Sequence, residues 1–436
     1  MPEIRPFPGI RYNPERIDDF SSVVAPPYDV IDPSQHAELL KRDPANCVRL
    51  ILGSTPGKAG NYTDEAAVMK KWIAEGILMQ DAGPRYYLIE DSFQVPGEPA
   101  PYHRWGIIGR VRVEPFETGR IFPHERTHSG PKEDRLKLMR AFKGNLSQVF
   151  TLFDGDAGSV RTALDPVFAS APIMDITDRD GLGRRMWVID DPAIIDTLSG
   201  LLADRNLYIA DGHHRYETAL TYSRIMAEAD PDPHPDKGYN FVMMALVGMQ
   251  DPGLAILPTH RHLYGFENFD LGKVLERLGA NFHLDDVTGK TEQMLRSGTA
   301  PATLDGRGFI LYDPVADHFI KAILTSESDL AGLMPDLPAP VRILEVTLVE
   351  RFLMMGCLGM TSDQISHQEH LEYFKDLGDA LERARNGGNL LAVMPSTGMD
   401  DLVAVTGARE RMPQKSTFFY PKLLSGLVFY DHGSVR

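Results

Sequence analysis

The stretch that most constrains this chain is Leu207 to Tyr222, LYIADGHHRYETALTY, where an apolar run stops at Asp211-Gly212 and a helical pattern begins. Leu207, Tyr208, Ile209 and Ala210 read as a strand, and Tyr216, Ala219, Leu220 and Ile225 recur at helical spacing. The first amides of a helix lack intrahelical partners, and the helix dipole places positive charge at the same end. A strand, a tight glycine turn and a helix start therefore make a seat for phosphate. His213, His214 and Arg215 add side-chain donors there, and Asp211 adds a carboxylate.

The neighbouring sequence supplies a sheet for that turn. MWVIDDPAII from Met186 reads as a strand leading into a helix, and Phe241–Gly248 and Leu254–His260 read as two further buried strands. The second ends in Pro258-Thr259-His260-Arg261, a cationic strand end. Strand ends converging on a glycine–helix turn are where open α/β sheets bind ligands. The expected class is α/β (mixed α+β).

Earlier in the chain, Val23–Ile31 (VVAPPYDVI) reads as a short strand entering a double-proline turn that presents Tyr28 and Asp29. Asp32 caps a helix to about Lys41, Cys47–Leu52 reads as a buried strand, and Thr63 to Glu75 as an amphipathic helix. Arg85–Val95 and Trp105–Val113 form an expected hairpin, and Leu344–Met355 an apolar helix.

Charge narrows the ligand. The 436 residues carry a formal charge of −16, which argues against a general nucleic-acid surface. Residues 120–143 hold seven Lys/Arg against three Asp/Glu, and residues 409–422 hold four against one. Two basic islands in an acidic chain suggest local recognition of an anion. In the first, His124, Glu125 and Thr127 lie on a loop running into a helix that carries Lys132 and Arg135. A carboxylate there can hold Mg²⁺ or act as base, while the cations neutralise phosphoryl oxygens. HERTH (124–128) has the form of a paired-histidine zinc motif, but the flanking prolines and glycine break the helix it needs. The second island holds Lys415, Ser416, Thr417 and Lys422 around an aromatic run, and it lacks the glycines of a Walker loop. No apolar run approaches the ~18 residues of a membrane span. The N-terminus lacks a signal-peptide core, and Cys47 and Cys357 have no metal or redox spacing, so a cytoplasmic chain with reduced thiols is expected.

The set RPFPGIRYNPERI, VVAPPYDVI, PHERTHSGPKEDRLKL, YIADGHHRYETAL, ILPTHR and RMPQKSTFFYPKLLSGLV resembles the domain of unknown function 1015 family from residue 5 to 428. Residues 186–225 are similar to the nucleotide-binding core of the ParB/Spo0J and sulfiredoxin-like superfamily, whose free-serine kinases carry a like DGHHR turn. The implied organisation is an N-terminal α+β region (1–155), the ParB-like core (156–265) and a C-terminal α/β region (266–436). Sulfiredoxin chemistry needs a cysteine by the turn, and none stands near 211–215. The resemblance implies a nucleotide-dependent phosphotransferase on a small hydroxyl metabolite, serine/phosphoserine being the favoured pair. Its alternatives are a nucleotide-responsive, DNA-associated regulator or a phosphoserine phosphatase. The expected catalytic residues are Asp211, His214, Glu125 and Lys132. Gly212, His213, Arg215, Arg135, Arg261, Lys415, Ser416, Thr417 and Lys422 would hold nucleotide or phosphate. Tyr28, Asp29, His124, Thr127 and His260 would face substrate, and Glu125 with Asp211 would hold Mg²⁺. The expected partners are a nucleoside di- or triphosphate and a small anionic metabolite, with no membrane and with nucleic acid disfavoured; a homodimer is compatible with the chain.

Overall fold

A computed structural model describes residues 2–57, 61–95, 100–125 and 129–434. The chain is mixed α/β and divides into two compact units. The first comprises residues 1–123, 127–254 and 421–436, and the second residues 124–126 and 255–420. Among the described residues, no helix is long and apolar enough to cross a membrane.

The first unit is built on a mixed sheet. From edge to edge its strands are Ile121–Pro123, Leu207–Asp211, Val149–Phe153, Phe241–Gly248, Tyr102–Arg112, Tyr86–Phe93, Gly183–Ile189 and Met174–Thr177, and Ile4–Arg5 pairs with Tyr102–Arg112. All eight residues of Phe241–Gly248 are buried, as expected of a continuous apolar run covered on both faces. The expected hairpin is present, with Tyr87 opposite Ile108 and Asp91 opposite Arg104. Leu88, Ile107, Val149, Phe153, Ile209 and Leu246 form the core together with Tyr216 of the helix His213–Ala229.

Three local expectations are corrected. Cys47–Leu52 is not a strand, because Val48–Ile51 is a single helical turn. Asn46 decides it: its side chain accepts from the Val48 amide at 2.9 Å and donates to the carbonyls of Ser22 and Val24, which closes a turn over a buried apolar run. Val23–Ile31 begins as the end of the helix Phe20–Val23, capped by Asp19, and continues into a 3-10 turn at Tyr28–Val30. Leu254–His260 divides into Ala255–Leu257 and His260–Leu263, since Pro258 offers no amide to a ladder.

The second unit carries an antiparallel sheet in the order Phe282–Asp286, His318–Leu324, Gly308–Asp313, Leu390–Val393, His260–Leu263, Leu371–Phe374. A separate short pair joins Ala255–Leu257 to Phe418–Tyr420. The apolar stretch at Leu344–Met355 is helical but not regular: Glu345–Leu348 is an α turn, and Val349–Cys357 is wound as a π-helix.

Candidate functional site

The strand Leu207–Asp211 runs antiparallel to Val149–Phe153, and its register slips between Ile209 and Asp211, so that Asp211 lies opposite Phe150. Such a slip re-aims the side chain at the strand's end. Gly212 follows at φ 90°, a left-handed conformation, and the helix starts at His213 and runs to Ala229. Gly212 is the capping residue and has no side chain with which to hold the first-turn amides. A methyl group on Gly212 would stand 2.7 Å from Arg215 Nε. Gly212→Ala is therefore expected to lower stability by about 1–3 kcal/mol and to push the guanidinium aside. Thermal melting checks the first effect, and a melting point equal to that of the parent would contradict it.

Asp211 is held on both oxygens. Lys422 Nζ donates to Oδ1 at 2.5 Å and Arg215 Nη2 donates to Oδ2 at 2.7 Å. Arg215 Nη1 also donates to the Gln148 carbonyl, while its buried Nε has no partner among the described residues. Burial alone would push the Asp211 pKa up, but the charges of Lys422, Arg215 and His213 outweigh it and hold the carboxyl well below the usual range. Asp211 is thus a fixed anion between two cations. Asp211 stands with two cations, Arg215 and Lys422, at the start of a 17-residue helix. Two cations at a helix start suit an anionic ligand.

Two expectations change on this geometry. Asp211 is not suited to act as a general base, because its affinity for a proton is depressed far below neutrality. Nor does it fit as a Mg²⁺ ligand, because both oxygens already accept from cations. Among the described residues, no group of three or more His, Cys, Asp or Glu side chains could hold a metal ion.

The helix Ser129–Phe142 turns its cations to other partners. Arg135 is 6% exposed, donates to Tyr62 Oη at 2.8 Å and to the Ile51 carbonyl at 3.2 Å, and pairs with Asp134. Its guanidinium lies 4.0 Å from the centroid of the Tyr28 ring. These contacts make Arg135 a clamp for the N-terminal segment and balance its charge. Lys132 pairs with Glu217, which stands on the same helix as Arg215. Tyr28, Arg135, Asn145, Ser147 and Arg215 share the wall of a cavity of about 30 Å³, room for about one water. Asp29 is exposed beside Tyr28.

In the second unit, His124 Nε2 and Thr417 Oγ1 share a 2.7 Å hydrogen bond. Ser416 Oγ donates to the Pro413 carbonyl at 2.6 Å, Glu125 forms a β-bridge with Met412, and Lys415 is exposed at φ 56°. Arg261 is 3% exposed and donates to the carbonyls of Thr259 and Lys415. His260 is 1% exposed and accepts from the Met394 amide on Nδ1, and burial lowers its pKa to about 3. Held neutral and covered, His260 is a sheet residue and not a substrate contact. Thr127 lies outside the described residues.

Sequence reasoning missed Gln148, Glu217 and the buried row Arg104–Asp91–Arg184. Arg104 and Asp91 sit in the alternating strands of a hairpin, where charged residues ordinarily face solvent, and their spacing marks nothing.

The family model described as protein of unknown function (DUF1015) matches residues 4–335. No curated protein matches the chain. Among solved structures, a conserved hypothetical protein from Pyrococcus furiosus is similar at 14% identity and TM-score 0.32, over 70% of this chain and 89% of that one. A free serine kinase variant in complex with ADP is similar at 13% identity and TM-score 0.35, over 75% of this chain and 92% of that one. A C-terminally truncated SbnI from Staphylococcus aureus is similar at 10% identity and TM-score 0.33, over 73% and 85%. At identities and TM-scores this low, the functional reading rests on the residues of this chain.

Proposed function

We propose, for a chain that belongs to the DUF1015 family of proteins of unknown function, a nucleotide-dependent phosphotransferase acting on a small hydroxyl metabolite, with serine and phosphoserine as the favoured pair. The observation that supports it most is the cation pair around Asp211 at a helix start whose N-cap is Gly212. Phosphoryl transfer asks mainly for positioning and for neutralisation of charge on the phosphate oxygens. In this reading the first-turn amides after Gly212, with His213 and His214, cradle the nucleotide phosphates. Arg215 and Lys422 neutralise them, and Asp211 keeps the two cations apart and aimed. The substrate hydroxyl oxygen attacks the terminal phosphorus, the bond to the nucleotide oxygen breaks, and the leaving nucleotide keeps the electron pair. The hydroxyl proton passes to an oxygen of the transferred phosphoryl group and from there to solvent. The nucleotide and the serine class come from the sequence resemblance of 186–225 to free-serine kinases; the geometry around Asp211 supports the anion seat.

Calorimetry tests this with ADP and ATP as titrants. Binding is expected, and His214→Ala is expected to weaken it about tenfold, the loss of roughly 1.4 kcal/mol of contact. Heat from phosphoserine but none from either nucleotide would replace the reading with that of a phosphatase.

A further inference from the structure

Arg104, Asp91 and Arg184 stand directly opposite one another on three adjacent strands of the first unit. Asp91 accepts from Arg104 at 2.6 Å and from Arg184 at 2.6 Å, and Arg184 continues to Asp178 at 2.9 Å. The side chains of this row are between 1% and 7% exposed. Two arginines and two aspartates balance in charge, so the row needs no ligand. Arg104 Nη2 also donates to the carbonyl of Pro421 at 2.7 Å, 317 residues away in sequence. Pro421 immediately precedes Lys422. The Arg104 guanidinium also lies 4.7 Å from the centroid of the Phe150 ring, and Phe150 is the cross-strand partner of Asp211. Arg104 therefore touches the residue beside Lys422 and the residue opposite Asp211, the two halves of the ion pair at the helix start.

We infer that Arg104 is a positioning residue that sets the Lys422 ammonium on Asp211 and thereby tunes the anion seat. The part of this inference that concerns nucleotide rests on the proposed phosphotransferase; the positioning of Lys422 does not. A proline carbonyl held by a rigid buried donor fixes the backbone one residue before the ammonium, so less of the long lysine chain is left to order when an anion arrives. The planar guanidinium suits this task because it hydrogen-bonds in its plane while its face covers an aromatic ring.

The test follows Lys422 directly. The whole chain, without ligand, is treated with acetic anhydride, and acetylation of Lys422 is timed by mass spectrometry. Arg104→Met is expected to raise that rate severalfold. Asp178→Asn, which loads the far end of the same row, is expected to leave it unchanged. Equal rates in the parent and in Arg104→Met overturn the inference, and so does an equal rise in both variants, which would report general loosening. If Arg104→Met does not fold, Arg104→Lys takes its place with the same outcomes, because it keeps a cation by Asp91 and loses the planar face on Phe150. In a second arm, Arg104→Met weakens ADP binding about tenfold in the parent but causes no further loss in Lys422→Ala; additive losses overturn the inference. If the parent binds no ADP while the labelling behaves as expected, the phosphotransferase reading falls and the positioning role stands.

Discussion

Arg215→Ala is expected to lower the phosphoryl-transfer rate by about 10²–10³-fold, the usual effect of removing one preorganised charge from a transferring group. The size follows from the setting. The Arg215 side chain is 12% exposed, so its charge acts where water screens little. Its buried Nε lacks a partner among the described residues. Asp211 keeps Lys422 in the variant, so the strand end is not left with an unpaired anion. The fold should survive, and the loss should appear in turnover more than in melting temperature. A coupled assay of nucleotide product with serine as acceptor measures it. A rate within about twofold of the parent would remove Arg215 from the chemistry.

Asp91→Ala is expected to destabilise the first unit by about 3–5 kcal/mol, because it strands two buried guanidinium groups at once. Arg104 and Arg184 side chains are 1% and 5% exposed, and neither can neutralise itself by losing a proton. The pH dependence has a definite sign. Burial pushes the Asp91 carboxyl up, but Arg184 and Arg104 outweigh this and hold it below its ordinary value of 3.8. A depressed folded-state pKa contributes stability that is present above the unfolded value and lost as pH falls through the folded one. The difference between parent and Asp91→Ala in urea denaturation should therefore be constant from neutral pH to about pH 4 and shrink below it. A difference that grows on acidification would show that the pair does not stabilise the ionised carboxyl.

The strand, glycine turn and helix start at Leu207–Ala229 were legible in the sequence because their evidence is local. An apolar run, one glycine and three donors lie within nine residues of each other, and each rule acts at short range. The hairpin and the helix after Asp32 were legible for the same reason. The basic island at 120–143 misled in part. Arg135 looked like a phosphate ligand, but its charge is balanced by Asp134 and its donors by Tyr62 and Ile51, over 70 residues away. Nothing in the island itself points to Tyr62 or Ile51. Cys47–Leu52 was misread because a short buried apolar run has no periodicity to tell helix from strand, and the decision lay with Asn46 just outside it. Lys422 could be proposed from its charge, but its partner Asp211 is 211 residues distant, and only the folded chain joins them.

The first unit is discontinuous: residues 421–436 return to it after the whole of the second unit has been threaded. During synthesis, then, the ribosome makes Asp211 and Arg215 long before the ammonium that balances them exists. At about 5–20 residues per second the delay between the two halves of the pair is roughly ten to forty seconds. Through that interval the nascent sheet must wait with its strand end incomplete, and the bridges Ile10–Phe429 and Ala25–Ser425 are absent as well. The ion pair at the strand end is therefore completed late, and a nascent chain released or cut before Lys422 would leave Asp211 with Arg215 alone.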